Sequence, residues 1–346
     1  MPTRSVCLAL ALSLVGALSA HAEILTGATD PACQAAAAYS DARRGAEILV
    51  LKDGRPICET YAAEGAPDHA MELWSGTKSF SGLLAAAAVQ DGLLTLDEPV
   101  AKTLPEWRDD PRKAKATIRH LLSLTVGIRS AIGRPPEYAD AIRMPLEADP
   151  GQVFIYGPAP YQVFGEVMKR KLAAAGQPAD PYLYLKRRVL DPIGVGEMVW
   201  RRTPGGDPLM PQGAELTARQ WAKVGEFVRA GGKVAGKAIV DPATFRALFV
   251  GSTANPAYGL TWWLPHAPKV ADPVSETADF ALNADKLPAD LVVAAGAGDQ
   301  RLYVIPSRGL TIVRLARLDI RALMARRGGA GDWSDTAFLT LLLGQS

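Results

Sequence analysis

The sequence predicts an α+β fold, with a sheet drawn from both ends of the chain and a mainly helical region inserted between them. Three observations carry that reading. Asp53-Gly54 separates two strand-like runs, residues 46–52 and 56–62, as in a tight β-hairpin. A series of helical stretches, divided by Pro and Gly loops, fills the middle of the chain. From Tyr258 the hydrophobic period shortens, and several strand-like runs precede a closing helix. Strands gathered at the ends, rather than alternating with helices, argue against a doubly wound βαβ fold.

Taken in order, the chain opens with a positive Arg4, an apolar run over residues 6–18 and the small-residue site Ala20-His21-Ala22. This is the plan of a secretory signal peptide over residues 1–22, too short for a stable membrane span. An uncleaved anchor is the alternative. No later run of 18 apolar residues occurs, so a periplasmic or secreted protein without stable membrane insertion is expected. Cys7 would leave with the leader. Cys33 and Cys58 remain, and export favours a disulfide between them over two buried thiols.

Residues 30–44 are alanine-rich and helical, and the hairpin follows. Residues 74–90 form an apolar helix closed by Asp91-Gly92, with so little polar surface that it must be buried. Further helices are expected at 118–124, 161–175, 182–190 and 218–230. Strands are expected at 258–264, 291–295, 301–305 and 310–315, and the last helix at 332–343. The sheet region then takes residues 23–74 and 240–346, and the helical region 75–239.

Composition removes whole classes of function. The 346 residues are 48% hydrophobic and 21% charged, with mean hydropathy +0.05, which excludes a disordered or collagen-like chain. The net charge is only +2, and no basic block stands out, the longest runs being triplets such as Lys186-Arg187-Arg188. Nucleic acid is therefore not an expected partner. Three cysteines and four histidines, widely scattered, give no reason to invoke a metal, and nothing points to an organic cofactor.

The chain lacks G-x-S-x-G, H-E-x-x-H and Walker sequences. It has Ser75-Gly76-Thr77-Lys78, an S-x-x-K at the start of the buried helix. Ser75 could be a plain N-cap there. Lys78, however, lies one turn on, on the same face and in apolar surroundings. Burial lowers a lysine's pKa, and an amine that can lose its proton beside a serine hydroxyl can activate a nucleophile.

Residues 74–80, Trp-Ser-Gly-Thr-Lys-Ser-Phe, resemble the nucleophile segment of the serine β-lactamase and penicillin-binding-protein superfamily. The likeness is strongest to its class C-like esterase and nylon-oligomer (6-aminohexanoate) hydrolase branch. Other landmarks follow in family order. Residues 93–100 are similar to its L-x-L-D-x-P-V segment, and residues 118–128 to I-R-H-L-L-S-H-T-S-G. Residues 150–156 resemble P-G-x-x-F-x-Y, and residues 258–262 resemble Y-G-x-G-W. The resemblance implies the β-lactamase/transpeptidase-like fold, an antiparallel sheet flanked by N- and C-terminal helices.

It also implies roles. Ser75 would be the acylated nucleophile, Lys78 its proton-transfer partner and Tyr156 the second-motif acid and base. Backbone N–H groups of Ser75, Ala297 and Gly298 would form the oxyanion hole. Trp74, Tyr161, Trp262, Ala295 and Gly296 would meet a small ester or amide substrate. Two departures stand out. Pro158 replaces the asparagine of Y-x-N, and Ala294-Ala295-Gly296 replaces K-T-G or H-x-G. An esterase or amidase is thus favoured over a β-lactamase, with a non-catalytic cell-wall or peptide-binding member as the alternative.

Overall fold

In the computed structural model, which describes residues 24–26, 30–62, 65–268, 279–319 and 333–344, the centre is a six-stranded antiparallel sheet. Its strands are β1 (Ile24–Thr26), β2 (Gly45–Lys52), β3 (Arg55–Tyr61), β4 (Val292–Gly296), β5 (Gln300–Ile305) and β6 (Leu310–Ala316), in the order β1-β3-β2-β6-β5-β4. The two ends of the chain meet where β2 pairs with β6, Val50 opposite Ile312. Asp53 and Gly54 both take positive φ, 49° and 77°, as the predicted hairpin turn requires. The predicted leader, residues 1–22, lies outside the described residues.

Alternation along the strands sends side chains to two different faces. On one face pack α1 (Pro31–Asp41) and α5 (Asp335–Leu343). Asp30 caps α1 through Ala32 N and Cys33 N, and a disulfide joins Cys33 to Cys58 of β3. Tyr303 meets Phe338 on this side, and Arg314 lies over the Trp333 ring at 3.8 Å.

On the other face lies α4 (Ala218–Arg229), seated close because Gly225 has no side chain. A Cβ there would stand 2.4 Å from Thr311 and 2.8 Å from Leu302. The remaining long helices, α2 (Ser79–Gln90) and α3 (Ala159–Ala174), build the helical part. As its apolar composition predicts, α2 is buried around nearly its whole circumference. No helix among the described residues is long and apolar enough to cross a membrane.

Two elements differ from the sequence reading. The helix expected at 182–190 is Pro181–Leu185 followed by a π-turn over Lys186–Leu190. The strand expected at 258–264 is instead a tight reversal in which Tyr258 bridges Trp263. Thr261 turns the backbone there with φ 77°, so the alternation is that of two short arms folded together.

Candidate active site

The site is built around the turn that enters α2. Met71–Glu72 pairs with Ala214–Leu216 in a small sheet, and Leu73 N–H donates to Ala214 C=O at 2.9 Å. The chain then tightens into a 3₁₀ turn, Trp74–Lys78, before α2 begins at Ser79. Trp74 takes φ 48°, a left-handed conformation that non-glycine residues hold only under constraint. The Trp221 ring of α4 backs the turn so closely that a Cβ on Gly76 would lie 3.0 Å from it. Ser75 keeps partial exposure, while Gly76, Thr77 and Lys78 are buried.

Ser75 is not a cap. Leu73 and Lys78 occupy the N-cap positions of the 3₁₀ turn and of α2, and neither helix start has a side-chain cap. The Ser75 hydroxyl instead accepts a hydrogen bond from Lys78 Nζ at 2.7 Å. The same amine donates to Pro211 C=O at 3.1 Å. It makes no ion pair with any carboxylate among the described residues, and burial alone pulls its pKa down to about 7. Near neutrality a large fraction of Lys78 is therefore the free amine.

Tyr156 stands at the same amine, its ring centroid 5.0 Å from Lys78 Nζ. It is partly exposed and stacks on Trp263, with centroids 5.8 Å apart. Tyr161 lies on the buried side, its ring 5.8 Å from Lys78 Nζ. Its hydroxyl is engaged with Tyr258 at 2.7 Å and Leu122 C=O at 3.2 Å. Tyr161 and Trp262 are both fully buried. Tyr161 walls the lysine, and Trp262 packs edge-on against Phe249. Trp74 remains partly exposed beside Ser75.

The third segment also arrives here. Gly296 ends β4 against the Trp74–Lys78 turn, where a Cβ would fall 2.0 Å from Leu73 O and 3.1 Å from Gly76 N. Only glycine fits that approach. Ala294 is wholly buried, while Ala295, Ala297 and Gly298 keep partial exposure at the β4–β5 turn. In the second segment Pro158 is buried at the start of α3. A Cβ on Gly157 would lie 2.5 Å from Ser130 Oγ, which accepts from Ala159 N–H at 3.1 Å.

Several contributors were missed by sequence reasoning. Pro211 acts through a backbone carbonyl, which leaves no side-chain signal. Ser79 and Thr261 form a reciprocal clasp: Ser79 Oγ donates to Thr261 C=O at 2.8 Å, and Thr261 Oγ1 donates to Ser79 C=O at 3.3 Å. It pins the residue after Lys78. The signal for it was present, since Thr261 stands where the family segment reads glycine.

A serine, a buried lysine, a tyrosine and a glycine-ended strand thus converge at one place, in a chain whose family the comparisons to known proteins identify. The Beta-lactamase family model matches residues 32–328, and the chain belongs to that family. A putative beta-lactamase from Bacteroides dorei is similar in structure, with TM-score 0.70 and 18% identity, covering 91% of this chain and 98% of that one. A putative 6-aminohexanoate-dimer hydrolase from Bacillus anthracis gives TM-score 0.64 at 16% identity, over 80% and 74%. EstCE1, described as a hydrolase with promiscuous acyltransferase activity, gives 0.62 at 18%, over 90% and 98%. Family and fold together make the protein a serine hydrolase of the beta-lactamase type.

Proposed function

We propose that the protein cleaves a small ester or amide through an acyl-enzyme on Ser75, with esters and short amides preferred to β-lactams. The observation that carries the reading is the 2.7 Å hydrogen bond between Ser75 and a buried lysine whose pKa is about 7. Neutral Lys78 takes the Ser75 proton as Oγ bonds to the substrate carbonyl carbon. The oxyanion sits between the Ser75 and Ala297 N–H groups, with Gly298 shaping the turn. Tyr156 passes a proton to the leaving group as the bond to it breaks. Water then attacks the acyl carbonyl carbon and gives a proton to the lysine–tyrosine pair; as the C–Oγ bond breaks, the pair returns a proton to Ser75 Oγ and the acid leaves.

The substrate preference rests on what the cleft lacks. Pro158 offers no side-chain amide, and Ala294 and Ala295 offer no cation for a β-lactam carboxylate. Partly exposed Trp74 and Tyr156 give the cleft an apolar edge suited to an acyl chain. We place the enzyme outside the cytoplasm, with residues 1–22 removed, acting on a small molecule and needing no cofactor.

The test is turnover of p-nitrophenyl butyrate against a chromogenic cephalosporin. The ester should be hydrolysed, the cephalosporin slow or inert, and Ser75→Ala inactive on both. Rapid cephalosporin turnover without ester hydrolysis would reverse the substrate preference. An inert wild-type protein that still binds cell-wall peptides would establish the non-catalytic alternative.

A further inference from the structure

The helix that backs the nucleophile turn has a second working face. Trp221, Gly225 and Val228 point toward the core, Trp221 against Gly76 and Gly225 against the sheet. The opposite stripe of α4, at helical spacing, faces a groove of about 620 Å³ between this helix and the β2–β3 hairpin. Leu49, Leu51 and Pro56 line it from the sheet, and Ala222 and Phe227 from the helix. That volume lies within the range of small-molecule sites, about 300–1,000 Å³. None of its lining residues belongs to the Ser75 cleft.

The charges around the groove do not cancel. Glu59 is taken by Arg219, Nε to Oε1 at 2.6 Å. Glu226 is taken by Arg229, whose Nη2 lies 2.6 Å from Oε2. Two cations are left over. Among the described residues, exposed Lys223 donates to the Gly194 carbonyl and neither it nor exposed Lys233 pairs with a carboxylate. An apolar floor beneath two uncompensated lysines suits a ligand with an alkyl tail and a single negative head.

We infer that this groove is a second binding site, separate from the catalytic cleft, for a medium-chain alkyl carboxylate. The tail lies along Leu51, Pro56 and Ile193, which keep exposed apolar surface above the buried Leu49 and Phe227, and covering them removes that surface from water. The carboxylate meets Lys223 and Lys233, and charge-assisted contacts with both fix its direction.

Calorimetry on the full chain carrying Ser75→Ala tests this independently of the acyl-enzyme, since the nucleophile is absent. Decanoate, held below its micelle concentration, should bind saturably. Butyrate, with the head but a short tail, should bind at least tenfold more weakly. Decyltrimethylammonium, with the tail and the opposite charge, should do the same. Ala230→Trp fills the mouth of the groove from an exposed position, and Lys223→Glu with Lys233→Glu reverses its charge at the surface. Each should weaken decanoate tenfold or more, and the charge reversal should strengthen the cationic amphiphile. Decanoate binding unchanged in both variants, equal binding of the two amphiphiles, or no saturation in the parent would overturn the proposal.

Discussion

Lys78 and Arg301 are both buried cations, each only 4% exposed, and their surroundings drive them in opposite directions. Arg301 lies on the sheet face away from α4. Burial works against its charge, but Asp335 holds it through Nε–Oδ1 at 2.7 Å and Nη2–Oδ2 at 3.3 Å, and its pKa is raised. The Gly296 and Gln300 carbonyls accept from its Nη1. Lys78 has a serine, a carbonyl and two aromatic rings around it, and its pKa falls to about 7. Equal burial therefore does not give equal chemistry. A carboxylate partner fixes a proton in place, and its absence leaves the proton free to move.

The largest expected effect separates the two by activity. Lys78→Ala should cut ester turnover by about 10²–10⁴-fold, the usual range for a positioned acid or base. Steady-state kinetics would show it in kcat, and a rate near wild type would remove Lys78 from the chemistry. At the other cation the loss should appear as stability. Asp335→Asn removes the carboxylate that holds Arg301 at Nε and leaves only Asp299, 3.7 Å from Nη2, so it should cost about 3 kcal/mol in denaturant unfolding. A variant as stable as wild type would show that Arg301 does not depend on the pair.

Smaller effects sharpen the contrast. Thr261→Val keeps the shape but removes one half of the clasp with Ser79, at a cost of about 1 kcal/mol in unfolding free energy. Lys78→Met should change the pH dependence of stability rather than one contact. Between about pH 7 and the ordinary lysine range, the unfolded chain holds a proton that the folded one has lost, so wild-type stability rises with pH across that window. Lys78→Met should flatten this slope and be more stable near pH 7, as melting curves at several pH values would show. A wild-type stability that is flat over the window would mean that Lys78 keeps its proton.

These residues also mark how far the sequence could be read. The hairpin was legible because Asp53 and Gly54 suit the positive φ that both adopt, and α2 because it has almost no polar face. Ser75 and Lys78 could be paired because they stand three positions apart, on one helical turn. Tyr156 emerged only from the ordered family segments. The burial of Tyr161 and Trp262 could not be read in advance, because an aromatic near a motif looks alike in sequence whether it faces a cleft or the core. The run at 258–264 alternates like a strand, and only the left-handed Thr261 shows that it doubles back. Pro211 and the groove beside α4 arise from chain segments brought together by folding, and local pattern carries neither.

The central claim is that neutral Lys78 activates Ser75, and the pH dependence of covalent labelling tests it most directly. A fluorophosphonate probe should modify Ser75, identified by peptide mass, at a rate that rises with pH to a plateau with its midpoint near 7. In Lys78→Ala the labelling should be slow and lack that step. Labelling at another residue, or a wild-type rate on Ser75 that does not change between pH 5 and 9, would contradict the account.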